Sequence, residues 1–384
     1  VLLATLVGAL LLATLMYEED DPTSRLGGDY PAFYAAGAIA GDGDWDQLYQ
    51  AERQQREQAG LIDDEGGYLY FSYPPFVAAL YAPLAGLDYR WSFLVHTALM
   101  GMALYGALLL MAPWLDRLGW PQPALLVAAL AFYPVLRAVP GGQNTTLSLL
   151  LLAAATRLDW EGKAFWAGVV SAALAFKPQF GIVLLLLLLV ARRWRMIAGW
   201  MSGALVLYVA SAVVTGGEWI ADWWEQAQVF SEQNVAANGA NFISLPGFFE
   251  NLLGSGSTVA GVLGYGSAAA VAAGVAYYWW RHPATDHIAR FALAAAAGVV
   301  VAPQTLFYDA GLLLGGALVV LALPARTARL VLIVALIASW TQVAAASLGW
   351  SPLGPLSWLA TAALLWWAYR AGGPVITAEL PTPV

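Results

Sequence analysis

Apolar runs, each closed by Arg, Pro, Gly or a knot of acidic residues, follow one another along almost the whole chain. A helix needs about 20 mostly apolar residues to cross roughly 30 Å of hydrocarbon. Taken between their breakers, the runs give twelve expected spans: 1–16, 91–112, 123–138, 144–156, 163–176, 178–190, 196–215, 259–280, 288–302, 306–323, 330–346 and 357–369. Two of them, 144–156 and 178–190, are short for a full crossing. The first run is already under way at Val1, so its true start is expected upstream. A cleaved leader fits less well, because Tyr17-Glu18-Glu19-Asp20-Asp21 follows where small residues would mark a cleavage site.

The stretch 73–87 (YPPFVAALYAPLAGL) is also apolar, but three prolines interrupt it and Asp88 closes it. Loop charge decides its role. When it is not counted as a span, Arg117, Arg157, Lys163, Arg192, Arg193, Arg195, Arg281, Arg290, Arg326, Arg329 and Arg370 share one side, 11 of the 17 basic residues. Short loops rich in Lys and Arg face the cytoplasm. Counting 73–87 as a span would push the Arg192-Arg193-Trp194-Arg195 cluster outside, so the stretch reads as a re-entrant or interfacial element.

The expected fold is all-α: one polytopic membrane domain over 1–384, with outer loops at 17–90 and 216–258 and both termini inside. Twenty of the 25 acidic residues then lie on the outer side, 19 in these two loops and Asp309 at the outer end of its span. In the first loop, 29–40 (DYPAFYAAGAIA) has apolar and aromatic residues at helical spacing and 46–59 (DQLYQAERQQREQA) is more polar. Both read as short helices at the membrane surface. The second loop holds Trp219, Trp223 and Trp224, whose indoles favour the headgroup layer.

Composition narrows the class further. A chain with 60% hydrophobic and 11% charged residues and a mean hydropathy of +0.65 is not a water-facing globule. A pI near 4.8 and a net charge of -8 leave no basic stripe for nucleic acid. With no cysteine, disulfides, thiol catalysis and Cys-ligated metals are excluded.

Ionisable residues at membrane depth are costly and point to function by default. Five polar clusters stand beside helix breaks: Gly27-Gly28-Asp29-Tyr30; Tyr73-Pro74-Pro75; Arg137 with Gly141-Gly142-Gln143-Asn144; Lys177-Pro178-Gln179; and Pro303-Gln304-Thr305 followed by Tyr308-Asp309. All five fall on the outer face of a topology chosen from loop charge alone. A random scatter would reach both faces, so one site at the outer membrane boundary is expected. Each residue also has an ordinary structural role open to it. Asp29 is a favoured N-cap, Gln143 and Asn144 can cap the span they open, and Asp309 suits the positive end of a helix dipole. Lys177 and Arg137 can snorkel to headgroups.

Other signals are weaker. Asp42-Gly43-Asp44 has a spacing used by some metal-dependent transferases, but it is foremost turn chemistry. His96 reads as a hydrogen-bonded packing residue, and His282 and His287 have no metal-site spacing. The 18 Trp and 17 Tyr mostly mark interfaces and helix packing.

In order and spacing, the clusters resemble glycosyltransferase family 87. The resemblance runs from about Gly27 to Asp309, through Gly28-Asp29-Tyr30 with Phe33-Tyr34, Tyr73-Pro74-Pro75, Gly142-Gln143-Asn144, Lys177-Pro178, the Arg192-Arg193-Trp194 exit, and Pro303 followed by Tyr308-Asp309. No single element is specific; their succession carries the resemblance. It implies an enzyme similar to the polyprenyl-phosphate-mannose-dependent α-1,2-mannosyltransferases of the GT-C class, in the cytoplasmic (inner) membrane. It also implies a carboxylate of the first outer loop as catalytic base, which maps onto Asp29. Some relatives use a histidine in the late outer loop where this chain has Asp309, so Asp309 is the second catalytic candidate.

The residues fit that chemistry on their own terms. A base takes the acceptor hydroxyl proton, and fixed cations stabilise the charge that gathers on the leaving phosphate. Lys177 and Arg137 are the candidate phosphate ligands; Tyr30, Tyr34, Tyr73, Gln143, Asn144, Gln179, Gln304 and Tyr308 are the candidates for binding substrate. No cofactor or metal is expected. The expected partners are a polyprenyl-phosphate-linked sugar, with mannose favoured over arabinofuranose or another sugar, an acceptor that is a glycolipid, polysaccharide or protein, and the lipid bilayer. The rival class is a transporter or flippase. Transporters usually carry inverted repeats and midplane sites, whereas these polar residues gather at one face, which favours an enzyme over a transporter or a scaffold.

Overall fold

The computed structural model describes residues 26–61, 68–254, 256–282, 287–320 and 323–371. The expected first span, 1–16, and its acidic exit lie outside these residues. Among the described residues the chain is helical, without a strand. The helices are α1 Tyr30–Asp42, α2 Ala51–Gln58, α3 Pro75–Ala85, α4 Tyr89–Leu115, α5 Gln122–Ala131, α6 Tyr133–Ala138, α7 Thr145–Trp160, α8 Ala164–Ala172 and α9 Pro178–Val190. They continue with α10 Trp194–Thr215, α11 Trp219–Asn238, α12 Leu245–Leu253, α13 Thr258–Arg281, α14 His287–Val301, α15 Leu313–Val320, α16 Ala325–Ser339, α17 Ala345–Leu348 and α18 Leu353–Ala371.

Among the described residues, four stretches are long and apolar enough to cross a membrane: α4, α10, α13 and Ala325–Ala344, which is α16 with the short turn that follows it. Shorter apolar helices occupy Pro75–Ala85, Gln122–Ala131, Ala164–Phe176, Pro178–Val190 and His287–Val301. Of the twelve expected crossings, 1–16 lies outside the described residues, and local breaks interrupt three of the others. The run 123–138 breaks at Phe132, which is extended at ψ 113, because Pro134 fits only the first turn of a helix. The run 163–176 tightens into a 3-10 turn, Ala173–Phe176, ahead of Pro178. The run 306–323 opens as a 3-10 turn, Phe307–Leu312. The proline-rich stretch 73–87 folds as α3, 11 residues long.

The chain forms two compact units, the first built from 1–102, 137–144 and 205–233, the second from 103–136, 145–204 and 234–384. In the first, α1 packs on α3 so closely that a Cβ on Gly37 would stand 2.7 Å from the Tyr81 backbone. Arg53 of α2 reaches back to Asp42 at 2.7 Å and Asp44 at 3.4 Å and pairs with Glu57. The Asp42-Gly43-Asp44 turn is therefore an ion-paired helix end. In the second unit, α14 is buried on every side from Ile288 to Val300. Its alanines present little bulk, which admits α7, α9, α13, α15 and α18 around it. The α8 and α10 backbones touch, since a Cβ on Gly199 would stand 1.9 Å from the Phe165 oxygen.

Candidate functional site

In the first unit, Gly27-Gly28-Asp29 and Gly141-Gly142-Gln143 form two turns laid backbone against backbone. Gly27, Gly28 and Gly142 have φ of 90°, 54° and 69°, values that favour glycine. There is also no room for a side chain: a Cβ on Gly28 would stand 2.7 Å from the Gly141 oxygen, and one on Gly142 would stand 2.3 Å from that of Gly27. The Asp29 N–H donates to the Gly141 carbonyl at 3.1 Å, and the Gln143 N–H to that of Ala138 at 2.9 Å. This interlock brings two side chains together. Gln143 Nε2 donates to Asp29 Oδ2. Asp29 is half-buried and makes no side-chain capping bond to α1, so capping does not explain its presence.

The turn rests on a buried aromatic cluster. Tyr30 is fully buried, with its hydroxyl 2.6 Å from Ser92 Oγ. Burial holds its phenol well above the ordinary tyrosine range and outweighs the Ser92 hydrogen bond, so the ring stays neutral. The His96 ring lies 4.8 Å from that of Tyr30, and its Nδ1 is 3.1 Å from the Tyr81 hydroxyl. The Tyr34 hydroxyl donates to the Leu87 carbonyl at 3.0 Å. The Tyr73 ring lies 4.9 Å from Phe33. Arg137 is exposed on α6, and Asn144 is buried immediately before α7.

In the second unit Lys177 does not reach towards headgroups. It is 5% exposed, and its Nζ lies 2.7 Å from Asp309 Oδ1. The second Asp309 oxygen, Oδ2, accepts from the Leu306 N–H at 3.2 Å. Asp309 thus combines its possible capping role with an ion pair. The Tyr308 and Phe180 rings lie 5.6 and 5.8 Å from the ammonium, within cation–π reach. A buried charge costs several kcal/mol unless compensated, and these groups compensate it. Gln304 sits at φ 58, left-handed backbone that costs a residue with a Cβ on the order of 1 kcal/mol. Its Oε1 accepts from Asn234 Nδ2 at 3.2 Å. Gln179 is half-buried in the first turn of α9. The turn around Gln304 is tied to the 242–243 segment by the Ile243 N–H, which donates to the Thr305 carbonyl at 2.9 Å.

One ionic cluster has no counterpart in the sequence reading. Asp159, at the end of α7, accepts from Arg193, lies 2.6 Å from His287 Nδ1, and accepts from Arg290 at 3.2 Å. Burial pushes its carboxyl up, but the His287 hydrogen bond and the charges of Arg193, His287 and Arg290 outweigh it, and the net direction is down. A depressed carboxylate contributes stability above its unfolded pKa, about 4, and loses it as pH falls through the lower folded value. Asp159→Asn should therefore lower the thermal midpoint clearly near neutral pH. The gap to wild type should close as the scan is repeated down to about pH 3, and a gap independent of pH would contradict the ion-pair account. The cluster was illegible because its partners stand 34, 128 and 131 residues away. Ser92 and the Tyr81–His96 pair join the surroundings of Tyr30, and Asn234 those of Gln304, without a motif to announce them.

Comparison with known proteins bears on what these arrangements do. The family model described as glycosyltransferase family 87 matches residues 71–307, more than half of the 384-residue chain. The matched stretch holds Tyr73, Arg137, Gln143, Asn144, Lys177, Gln179 and Gln304; it begins after Asp29, Tyr30 and Tyr34 and ends just before Tyr308 and Asp309. No curated protein and no solved structure matches the chain. A family match of this extent, over helices long and apolar enough for a membrane, identifies the chain as belonging to glycosyltransferase family 87.

Proposed function

We propose that this glycosyltransferase moves a sugar, with mannose favoured, from a polyprenyl-phosphate donor to a hydroxyl of an extracytoplasmic acceptor, as a GT-C-class enzyme of the cytoplasmic membrane. Transfer inverts the anomeric centre and needs no metal. Asp29 takes the acceptor O–H proton while that oxygen forms the new bond to the anomeric carbon. The bond from that carbon to the phosphate oxygen breaks, and its electron pair leaves with the lipid phosphate. Lys177 and Arg137 stabilise the charge gathering there, and Asp309 holds the Lys177 ammonium in place between turnovers.

The observation that supports this reading most directly is the Asp29 carboxylate, half-buried and aimed by Gln143 instead of capping its helix. An oriented base contributes typically 10²–10⁴-fold. Asn144, Gln179 and Gln304 supply amides for sugar hydroxyls, and Tyr34, Tyr73 and Tyr308 flank the sugar. Tyr30, wholly buried, acts through the turn that carries Asp29. The test is transfer of label by purified enzyme in nanodiscs, with polyprenyl-phosphate-linked mannose, arabinofuranose and glucose offered in turn beside a lipid-extract acceptor. Transfer from the mannose donor, unchanged by EDTA, is expected. Transfer from another donor alone would replace mannose, and sensitivity to EDTA would overturn the metal-free mechanism. Silence with every donor would overturn the donor class.

A further inference from the structure

In the first unit, residues 68–73 form no helix, and one side chain holds their course. Gln58, fully buried at the end of α2, accepts from the Leu69 N–H through Oε1 at 2.8 Å and donates to the Leu69 carbonyl through Nε2 at 2.9 Å. These are the paired bonds a neighbouring strand would supply. The Trp223 indole N–H of α11 donates to the Ser72 carbonyl at 2.9 Å, and the Tyr49 hydroxyl to that of Tyr73 at 2.8 Å. Alternate side chains then part, as in a strand. Phe71 and Tyr73 pack around Phe33, with ring centroids 6.2 and 4.9 Å away. Tyr68 and Tyr70 lie side by side and half-buried, with ring centroids 4.3 Å apart. Phe230 of α11 lies 6.5 Å from Tyr70, and Gln226, one turn earlier on that helix, stands near Tyr68.

We propose that Tyr68 and Tyr70, with Gln226 and Glu52, form an acceptor subsite that takes a sugar residue of a glycan chain by stacking. The C–H face of a sugar ring packs on aromatic faces, and amide and carboxylate groups take its hydroxyls. Glu52 is exposed on α2, and an aromatic, amide and acidic set suits a neutral polyhydroxylated ligand. A phosphorylated headgroup would be repelled. The position fits as well. Tyr73 packs against Phe33, which follows Asp29 by about one helical turn, roughly 6 Å along α1. A glycan chain held on the two tyrosines would thus share a unit with the hypothesised base. This deepens the transferase reading and rests on it, and it makes the acceptor a saccharide.

The test separates binding from catalysis. Purified enzyme in nanodiscs is titrated with manno-, arabino- and gluco-oligosaccharides by saturation-transfer NMR, as wild type, Tyr68→Leu/Tyr70→Leu and Tyr68→Phe/Tyr70→Phe. Wild type should bind at least one of these saturably. The leucine pair should weaken that binding about tenfold, while the phenylalanine pair, which keeps the rings, should stay within about twofold. In the transfer assay the leucine pair should raise the acceptor KM and leave the donor KM in place. Absence of saturable binding in wild type, equal binding by the leucine pair, or equal loss in the phenylalanine pair would each overturn the proposal. Glycan binding that depends on the rings, beside an Asp29→Asn variant that still transfers, would remove the base assignment and support the subsite.

Discussion

Asp29→Asn should reduce transfer by about 10²–10⁴-fold, the contribution of a placed general base, in a protein that folds as wild type does. The substitution is nearly isosteric, and an Asn oxygen still accepts the bond from Gln143 Nε2. The Asp29 N–H bond to Gly141 is a backbone bond and is untouched. No capping bond is lost, because the wild-type side chain makes none to α1. The change in unfolding free energy should therefore stay within about 1 kcal/mol. Gln143→Met offers an intermediate case. It keeps the carboxylate but removes the donor that aims it, and the expected loss is on the order of tenfold, the worth of a hydrogen bond to a charged group. Full transfer by a folded Asp29→Asn protein would remove Asp29 from the chemistry.

The contrast between Asp29 and its neighbours shows what a one-dimensional reading reaches. One helix is legible to its ends, the expected 178–190 being α9, whereas α4 runs through Pro113 to Leu115 and α7 past Arg157 to Trp160. Interruptions inside a run were not legible, because Phe132 carries no breaker of its own and yields only to the geometry of Pro134. Both glycine pairs of the Asp29 site were visible as motifs. Their interlock was not, since it depends on clearance between backbones that the sequence sets 114 residues apart. The segment 46–59 reads as a polar helix at the membrane surface. Gln54 and Gln58 are nevertheless buried, because their amides serve the backbone carbonyls of Leu48 and Leu69. A glutamine that substitutes for a strand has no sequence signature.

Lys177→Met should cost stability and transfer together, and the second partner of its ion pair separates the two effects. Alone, the substitution strands the Asp309 carboxylate in a site 5% exposed, and breaking a buried pair from one side costs about 3–5 kcal/mol. A lower thermal midpoint with low activity is then expected, and it decides nothing about phosphate. Lys177→Met/Asp309→Asn removes both charges. The Asn oxygen keeps an acceptor for the Leu306 N–H, which Asp309 Oδ2 serves at 3.2 Å. Replacing a buried ion pair by uncharged groups is often neutral or stabilising, so most of the lost stability should return. Transfer should remain down by about 10²–10³-fold if the ammonium stabilises charge on the leaving phosphate, the usual cost of deleting one preorganised donor. Recovery of activity together with stability would assign the pair to the fold alone, and Arg137 would then be the remaining candidate cation for the phosphate.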